Sequence, residues 1–232
     1  MTIVVLRHVE CEPAADYGTA LAHIAPIRTI DVGVDELPPL ETVQAILSMG
    51  GPMGVADMDR LPWIADEIAY LADAVDRDIP VWGVCLGAQL LAAALGAKVY
   101  TGDAPEVGVG KVALTAAGSL DAVWGSMGPE LSVVQWHSDT FELPEGAVHL
   151  ASSDKYAHQL FRYGRSYGVQ FHLEAPADLV AEWADIPEYR ASLTEALGAE
   201  GVAILAQTMN EVADQIHENA TDAIRGWSRL WS

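Results

Sequence analysis

A doubly wound α/β fold is the class this sequence predicts, with a mostly parallel central sheet, flanking helices and a small antiparallel addition. Three observations carry it. Short apolar runs of strand length alternate with helical patterns up to Gly96. The stretch Gly83-Val84-Cys85-Leu86-Gly87-Ala88-Gln89 follows an apolar run and precedes a helical one, as a strand-to-helix turn at a sheet edge does. Beyond Gly96 the runs shorten and turn residues separate them, which suggests antiparallel pairing.

The elements follow in order. Met1-Thr2-Ile3-Val4-Val5-Leu6-Arg7-His8 reads as a first strand over 2–6. The runs at 28–32, 43–48 and 80–84 read as the next three. Segment 63–77 places Ile64, Ile68, Leu71 and Val75 at helical spacing, the pattern of an amphipathic helix covering a sheet. Leu90-Leu91-Ala92-Ala93-Ala94-Leu95 is helix-like and is stopped by Gly96. Short strands are then expected at 97–100, 110–114, 132–136, 148–152, 159–163 and 167–172, the last returning to the central sheet. From Pro176 the chain reads as helical. Its last segment puts Leu205, Met209, Val212, Ile216 and Ile224 on one face, which fits core packing and leaves a homodimer seam open. Trp227 and Trp231 are expected to cap that packing. With no internal repeat and no low-complexity linker, residues 1–232 read as one domain with a helical C-terminal extension from about 176.

Composition narrows the function classes. Hydrophobic residues make up 51% of the 232, too many for a disordered chain. A net charge of −21, from 33 acidic and 12 basic residues, argues against a nucleic-acid partner, which needs a basic surface. No apolar run is long enough to span a bilayer, and the start lacks the basic residues and long apolar core of a signal peptide. The two cysteines, Cys11 and Cys85, make no disulfide framework. A cytoplasmic chain without a membrane partner is therefore expected. No metal-ligand spacing such as H-E-x-x-H or paired C-x-x-C occurs, so neither a metal nor a cofactor is expected.

The candidate chemistry centres on Cys85. Flanking glycines relieve crowding at a strained turn, and a helix N-terminus offers unpaired N–H groups and partial positive charge. Both favour the thiolate, so an exposed, reactive cysteine is expected. Cys11 reads as an inert buried residue. A cysteine nucleophile needs a base and the base an orienting group. His172 and Glu174 supply both, at i and i+2 on the end of a strand and so on one face. His8, His23, His149 and His217 read as surface or satisfied core residues. Ser48-Met49-Gly50-Gly51-Pro52-Met53 follows a strand at the same sheet edge. Bare glycine backbone there can aim an N–H at a developing oxyanion, with the Leu86 N–H as its partner.

Together, Gly83-Val84-Cys85-Leu86-Gly87-Ala88-Gln89, Gly50-Gly51-Pro52 and Gln170-Phe171-His172-Leu173-Glu174 resemble the motifs of class I (triad) glutamine amidotransferases, in order and approximate spacing, over roughly the first 180 residues. Gln135-Trp136-His137-Ser138-Asp139-Thr140-Phe141-Glu142-Leu143-Pro144 is similar to the stand-alone subgroup akin to the glutaminase domain of GMP synthase. The resemblance implies a flavodoxin-like fold and the following roles. Cys85 attacks the side-chain amide of glutamine and forms a γ-glutamyl thioester. His172 protonates the leaving ammonia and then activates water, and Glu174 holds His172. Gly51 and Leu86 form the oxyanion hole. Gln89 contacts the bound glutamine, and Ser138 and Asp139 hold its α-carboxylate and α-amino group. An aspartate facing an ammonium also makes chemical sense on its own.

The sequence departs from that pattern in three places. Leu173 stands where the family has proline, a change expected to loosen the His172–Glu174 pair. Ser138 replaces a glycine, and His158-Gln159 replaces Asn-Gln; both changes are expected at the pocket wall. The chain has no Walker-type loop and no room for a second catalytic domain, so either an ammonia-accepting synthase subunit receives the ammonia or the acyl-enzyme chemistry serves another purpose. A hydrolase of other γ-glutamyl compounds would use the same three residues, and a catalytically silent regulatory subunit is a further reading. A cysteine α/β-hydrolase is disfavoured because there the acid precedes the histidine in chain order.

Overall fold

The computed structural model describes residues 1–231. The predicted strands near the start form as β1 (Thr2–Arg7), β2 (Ile27–Asp31), β3 (Val43–Ser48) and β4 (Val81–Val84). The near-continuous apolar runs of β1, β3 and β4 fit strands buried on both faces, whereas β2 is the edge strand and exposes Arg28 and Thr29. Two helices intervene, α1 (Ala15–Leu21) and α2 (Trp63–Asp76), and α3 (Leu86–Ala94) follows β4. The antiparallel portion comprises β5 (Val99–Leu114), β6 (Glu130–Phe141), β7 (Val148–Ser152), β8 (Leu160–Tyr163) and β9 (Ser166–Val169). Three helices close the chain: α4 (Ala177–Trp183), α5 (Pro187–Leu197) and α6 (Gly201–Ser228).

All nine strands join one sheet in the order β2-β1-β3-β4-β9-β8-β7-β5-β6. The first five are parallel and the rest antiparallel. β9 thus belongs to both portions, pairing in parallel with β4 and antiparallel with β8. The chain leaves β1 for one edge and returns through β3 and β4 toward the other. That reversal opens a crevice at the carboxyl ends of the strands, where ligands bind in sheets of this kind.

A layer of helices covers each face of the parallel half. On one side Ile64 and Leu71 of α2 join Leu90 and Leu91 of α3 in a core with Val4, Leu6 and Ile46. On the other, Tyr17 and Leu21 of α1 meet Ile216, Ile224 and Trp227 of α6, with Trp82 at the centre. Trp82 packs against Tyr17, Trp124, Tyr167 and Trp227 at centroid distances of 5.4–5.7 Å. Leu205, Met209, Ile216 and Ile224 are buried within the chain, so the apolar stripe of α6 is core packing. Trp231 packs edge-on to Trp227, 5.2 Å away.

Two expectations change. Segments 97–100 and 110–114 are parts of one strand, whose register shifts between Thr101 and Glu106. Gly102, Pro105, Gly108 and Gly110 make this stretch look like turns, but the first two fall in the irregular step and the glycines at 108 and 110 pair regularly with Gln135 and Val133. In addition, β9 ends at Val169, so residues 170–172 lie beyond the strand.

Candidate active site

β1, β3, β4 and β9 end side by side, and just beyond those ends stand His8, Gly50, Cys85 and His172. Cys85 occupies the strand-to-helix turn at φ 50°, ψ −106°. An L-residue holds such a conformation at a cost of about 1–3 kcal/mol and needs its surroundings to fix it. The Cys85 N–H donates to Val169 O at 2.8 Å, and its carbonyl accepts from Ala88 N (3.1 Å) and Gln89 N (3.2 Å). The flanking glycines are steric necessities. A Cβ on Gly83 would strike the Gly87 backbone, and one on Gly87 would strike the Ser48 carbonyl.

Turn chemistry predicts an exposed thiol, but Cys85 is only 6% exposed. It opens into a cavity of about 390 Å³ whose walls include Trp136 from β6 and Tyr189 from α5. The thiol lies 3.9 Å from Trp136 O. Burial pushes the Cys85 pKa up, while the neighbouring His172 ring pulls it down; burial prevails.

His172 is held by backbone, although not by a strand of its own. Beyond the end of β9 it forms a bridge to β6: His172 N donates to Val134 O (2.8 Å) and Val134 N to His172 O (3.0 Å). Its Nδ1–H donates to Glu174 Oε1 at 2.6 Å, which leaves Nε2 for the thiol. Trp183 packs edge-on against the ring at 5.0 Å. Burial disfavours the imidazolium, but the Glu174 charge, the hydrogen bond the ring donates to Glu174 and the neighbouring Cys85 outweigh it and raise the His172 pKa well above its ordinary value. Leu173 does not loosen this pair. Its backbone N–H, a donor that proline lacks, reaches Glu174 Oε2 at 3.1 Å.

The remaining expected residues gather around the same cavity. Gly51, Gln89, Ser138 and Asp139 line it. A Cβ built on Gly51 would lie 3.3 Å from the Leu86 side chain, which packs against the glycine backbone. Among the described residues no backbone hydrogen bond engages the Leu86 N–H, whereas Gly87 N already donates to Met49 O (3.0 Å). The Gln89 amide donates to Asp139 O and to Gln170 Oε1, both at 3.2 Å. Asp139 Oδ1 accepts from Thr101 Oγ1 at 2.7 Å. Behind them His137 Nδ1 donates to Asp139 O (2.9 Å), and its Nε2 lies 3.2 Å from Glu106 Oε2. Gln159 also donates to Glu106 Oε2, at 2.6 Å. Burial alone would raise the Glu106 pKa, yet the bonds from His137 and Ser153 hold it below the ordinary range. His158 and Gln159 thus stand behind the cavity and do not form its wall.

Three features escape the sequence. Glu12 is 6% exposed and lies beside His172 and Glu174. Its Oε1 accepts from the Tyr189 hydroxyl, and its Oε2 has no partner. Burial raises the Glu12 pKa, opposed by the His172 charge and the Tyr189 bond. Second, Glu188, Tyr189 and Ser192 of α5 line the cavity, and Ser192 Oγ accepts from Trp136 Nε1 at 2.9 Å. Third, His8, Glu67 and Ser48 form a hydrogen-bonded chain under Gly50. Helical periodicity gives α5, but only tertiary packing gives its place at the site. Among the described residues no cluster of His, Cys, Asp and Glu is arranged to hold a metal ion. No helix among them is long and apolar enough to cross a membrane.

The family model for glutamine amidotransferase class-I matches residues 16–178. One subunit of the glutamine-hydrolysing GMP synthase of Natronomonas pharaonis is 38% identical over 154 residues, covering 62% of this chain and 77% of that protein. A solved glutamine amidotransferase from Thermotoga maritima superimposes with a TM-score of 0.87 at 28% identity, covering 98% of each chain. One from Methylobacillus flagellatus gives 0.89 at 27% identity, covering 100% of this chain and 95% of that one.

Proposed function

Because this chain belongs to the class I glutamine amidotransferase family, an amidohydrolase family, we propose that it hydrolyses the side-chain amide of glutamine through a γ-glutamyl thioester on Cys85. The observation that carries the proposal is the buried His172–Glu174 pair, hydrogen-bonded at 2.6 Å, set against Cys85, whose thiol opens into the cavity. The Cys85 sulfur attacks the amide carbon as its proton passes to His172 Nε2. The tetrahedral oxyanion is received by the N–H groups of Gly51 and Leu86. On collapse the C–N bond breaks, and His172 returns the proton to nitrogen, which leaves as ammonia. Water then attacks the thioester with His172 as base; glutamate departs and the thiol is restored. Glu174 stabilises the imidazolium formed in each half and fixes its tautomer. Asp139 faces the substrate's α-ammonium, Ser138 its α-carboxylate, and Gln89 supports both through its bond to Asp139 O.

The Natronomonas relative is one component of a multi-chain GMP synthase, which supports delivery of the ammonia to a synthase carried on another chain. One observation favours a second substrate class. A cavity of about 390 Å³, with α5 as an extra wall, lies in the range that houses ligands larger than an amino acid. A γ-glutamyl compound with a bulkier leaving amine would fit the same chemistry. The test measures glutamate and the released amine from glutamine and from a panel of γ-glutamyl amides. Equimolar glutamate and ammonia from glutamine are expected, with a loss of at least about 10³-fold in Cys85→Ala. Turnover of γ-glutamyl amides alone would transfer the assignment to the second class, and near-normal turnover by Cys85→Ala would refute both.

A further inference from the structure

We propose that His8 is a positioning residue for the oxyanion hole: a buried imidazolium, held by Glu67, that orients and polarises the Gly50–Gly51 peptide. This rests on the reading above that the Gly51 N–H receives the oxyanion. The His8 Nδ1 lies 3.0 Å from Gly50 O. A carbonyl only accepts, so Nδ1 carries a hydrogen. That carbonyl belongs to the same peptide unit as the Gly51 N–H. The peptide is trans and planar, so its C=O and N–H point in opposite directions. Fixing one fixes the other, and a charged donor on the oxygen makes the N–H a stronger donor toward the far side.

The charge on His8 has its own support. Nε2 lies 2.8 Å from Glu67 Oε2, and both side chains are 0% exposed. Glu67 Oε1 already accepts from Ser48 Oγ at 2.7 Å, as a carboxylate does. With Nδ1 occupied by a carbonyl and Nε2 facing a carboxylate, both ring nitrogens are donors. Trp63 of α2 stacks on the ring at 5.4 Å and 20°, a face that favours a cation. Of the titratable groups around His8, Glu67 comes from α2 and Glu12 from the loop after β1; both are acidic. Burial opposes the charge, and these acids with the Gly50 carbonyl outweigh it, raising the His8 pKa.

Both glycines of this peptide are closely packed. A Cβ on Gly50 would strike Glu12 Oε2, and one on Gly51 would lie 3.2 Å from His8 Cβ. Ser48, the last residue of β3, and Glu67, on the inner face of α2, therefore connect the sheet and a helix to the atom that meets the oxyanion. Two hydrogen-bonded chains thus approach the site, Ser48–Glu67–His8 at the Gly50 carbonyl and Glu174–His172 beside Cys85. One chain serves the nucleophile, the other the charge it creates.

Glu67→Gln and His8→Asn in the full chain test this, read by kcat and KM across pH 6–9 and by the rate at which iodoacetamide alkylates Cys85. Alkylation forms no oxyanion and so reports the thiol alone. In Glu67→Gln, kcat is expected to fall about tenfold, less than the roughly 10²–10³-fold of a deleted oxyanion donor, with KM within about twofold and alkylation unchanged. The deficit should widen as pH rises, because His8 without Glu67 loses its proton at lower pH. His8→Asn keeps an N–H toward Gly50 but no charge, so its deficit should not vary with pH. Wild-type kcat at every pH, or alkylation falling in parallel with kcat, would overturn the proposal. Should either variant fail to fold, nitrogen NMR of the wild-type His8 ring decides: both nitrogens protonated through neutral pH is expected, and a neutral ring would overturn it. Cys85→Ala with full turnover would instead defeat the parent reading.

Discussion

Leu173 shows how one substitution can move a function from side chain to backbone. Where the family carries proline, this chain has an N–H that donates to Glu174 Oε2, so both Glu174 oxygens are engaged. Leu173→Pro removes that bond, worth about 1 kcal/mol, and kcat should fall roughly fivefold. An unchanged kcat would show that Nδ1 of His172 suffices to hold the acid. Glu12 acts through charge. Its carboxylate repels the Cys85 thiolate and attracts the His172 imidazolium. Removing that charge in Glu12→Gln eases thiol ionisation and weakens the imidazolium, so both limbs of the pH–rate profile should move to lower pH. A profile that stays in place would mean that Glu12 is uncharged during turnover. Cys85, His172 and Glu174 are legible in the sequence because turn chemistry and spacing mark them out. Glu12 is not, since an acid in an ordinary loop far along the chain from its neighbours carries no local signal.

Among the elements, the β4–α3 turn bears the most constraint. Gly87 passes so close to the Ser48 carbonyl that an added Cβ has no space, and neither partner is a flexible side chain. Gly87→Ala should lower unfolding stability by about 1–3 kcal/mol, measured by urea denaturation. Stability equal to wild type would mean that β3 and α3 can part without loss. Strands β1, β3 and β4 are readable because burial on both faces leaves near-continuous apolar runs. Helix α1 escapes such a reading: it has only seven residues, with Gly18 inside and no side-chain cap. The strand expected at 167–172 stops short, because Gln170 and His172 take backbone partners in other segments, Gln159 and Val134. Short apolar runs specify a strand's core and leave its end to tertiary contacts.

The whole molecule is a sheet that changes character halfway, and the site lies where the two halves meet. The parallel half supplies the turn of Cys85 and the loop of Gly51; the antiparallel half supplies the bridge that fixes His172 and the wall from Trp136 to Asp139. The C-terminal helices close the remaining side through Trp183 and Tyr189. The sequence carries the order of these parts and their resemblance to a family, but not the convergence that makes α5 a wall or His8 a support. The central claim is a covalent one, and acid quenching during turnover followed by peptide mass spectrometry tests it most directly. A glutamyl thioester on the peptide that contains Cys85, absent in Cys85→Ala together with ammonia release, is the result expected. Sustained ammonia release with Cys85 unmodified, or with Cys85 replaced by alanine, would contradict it.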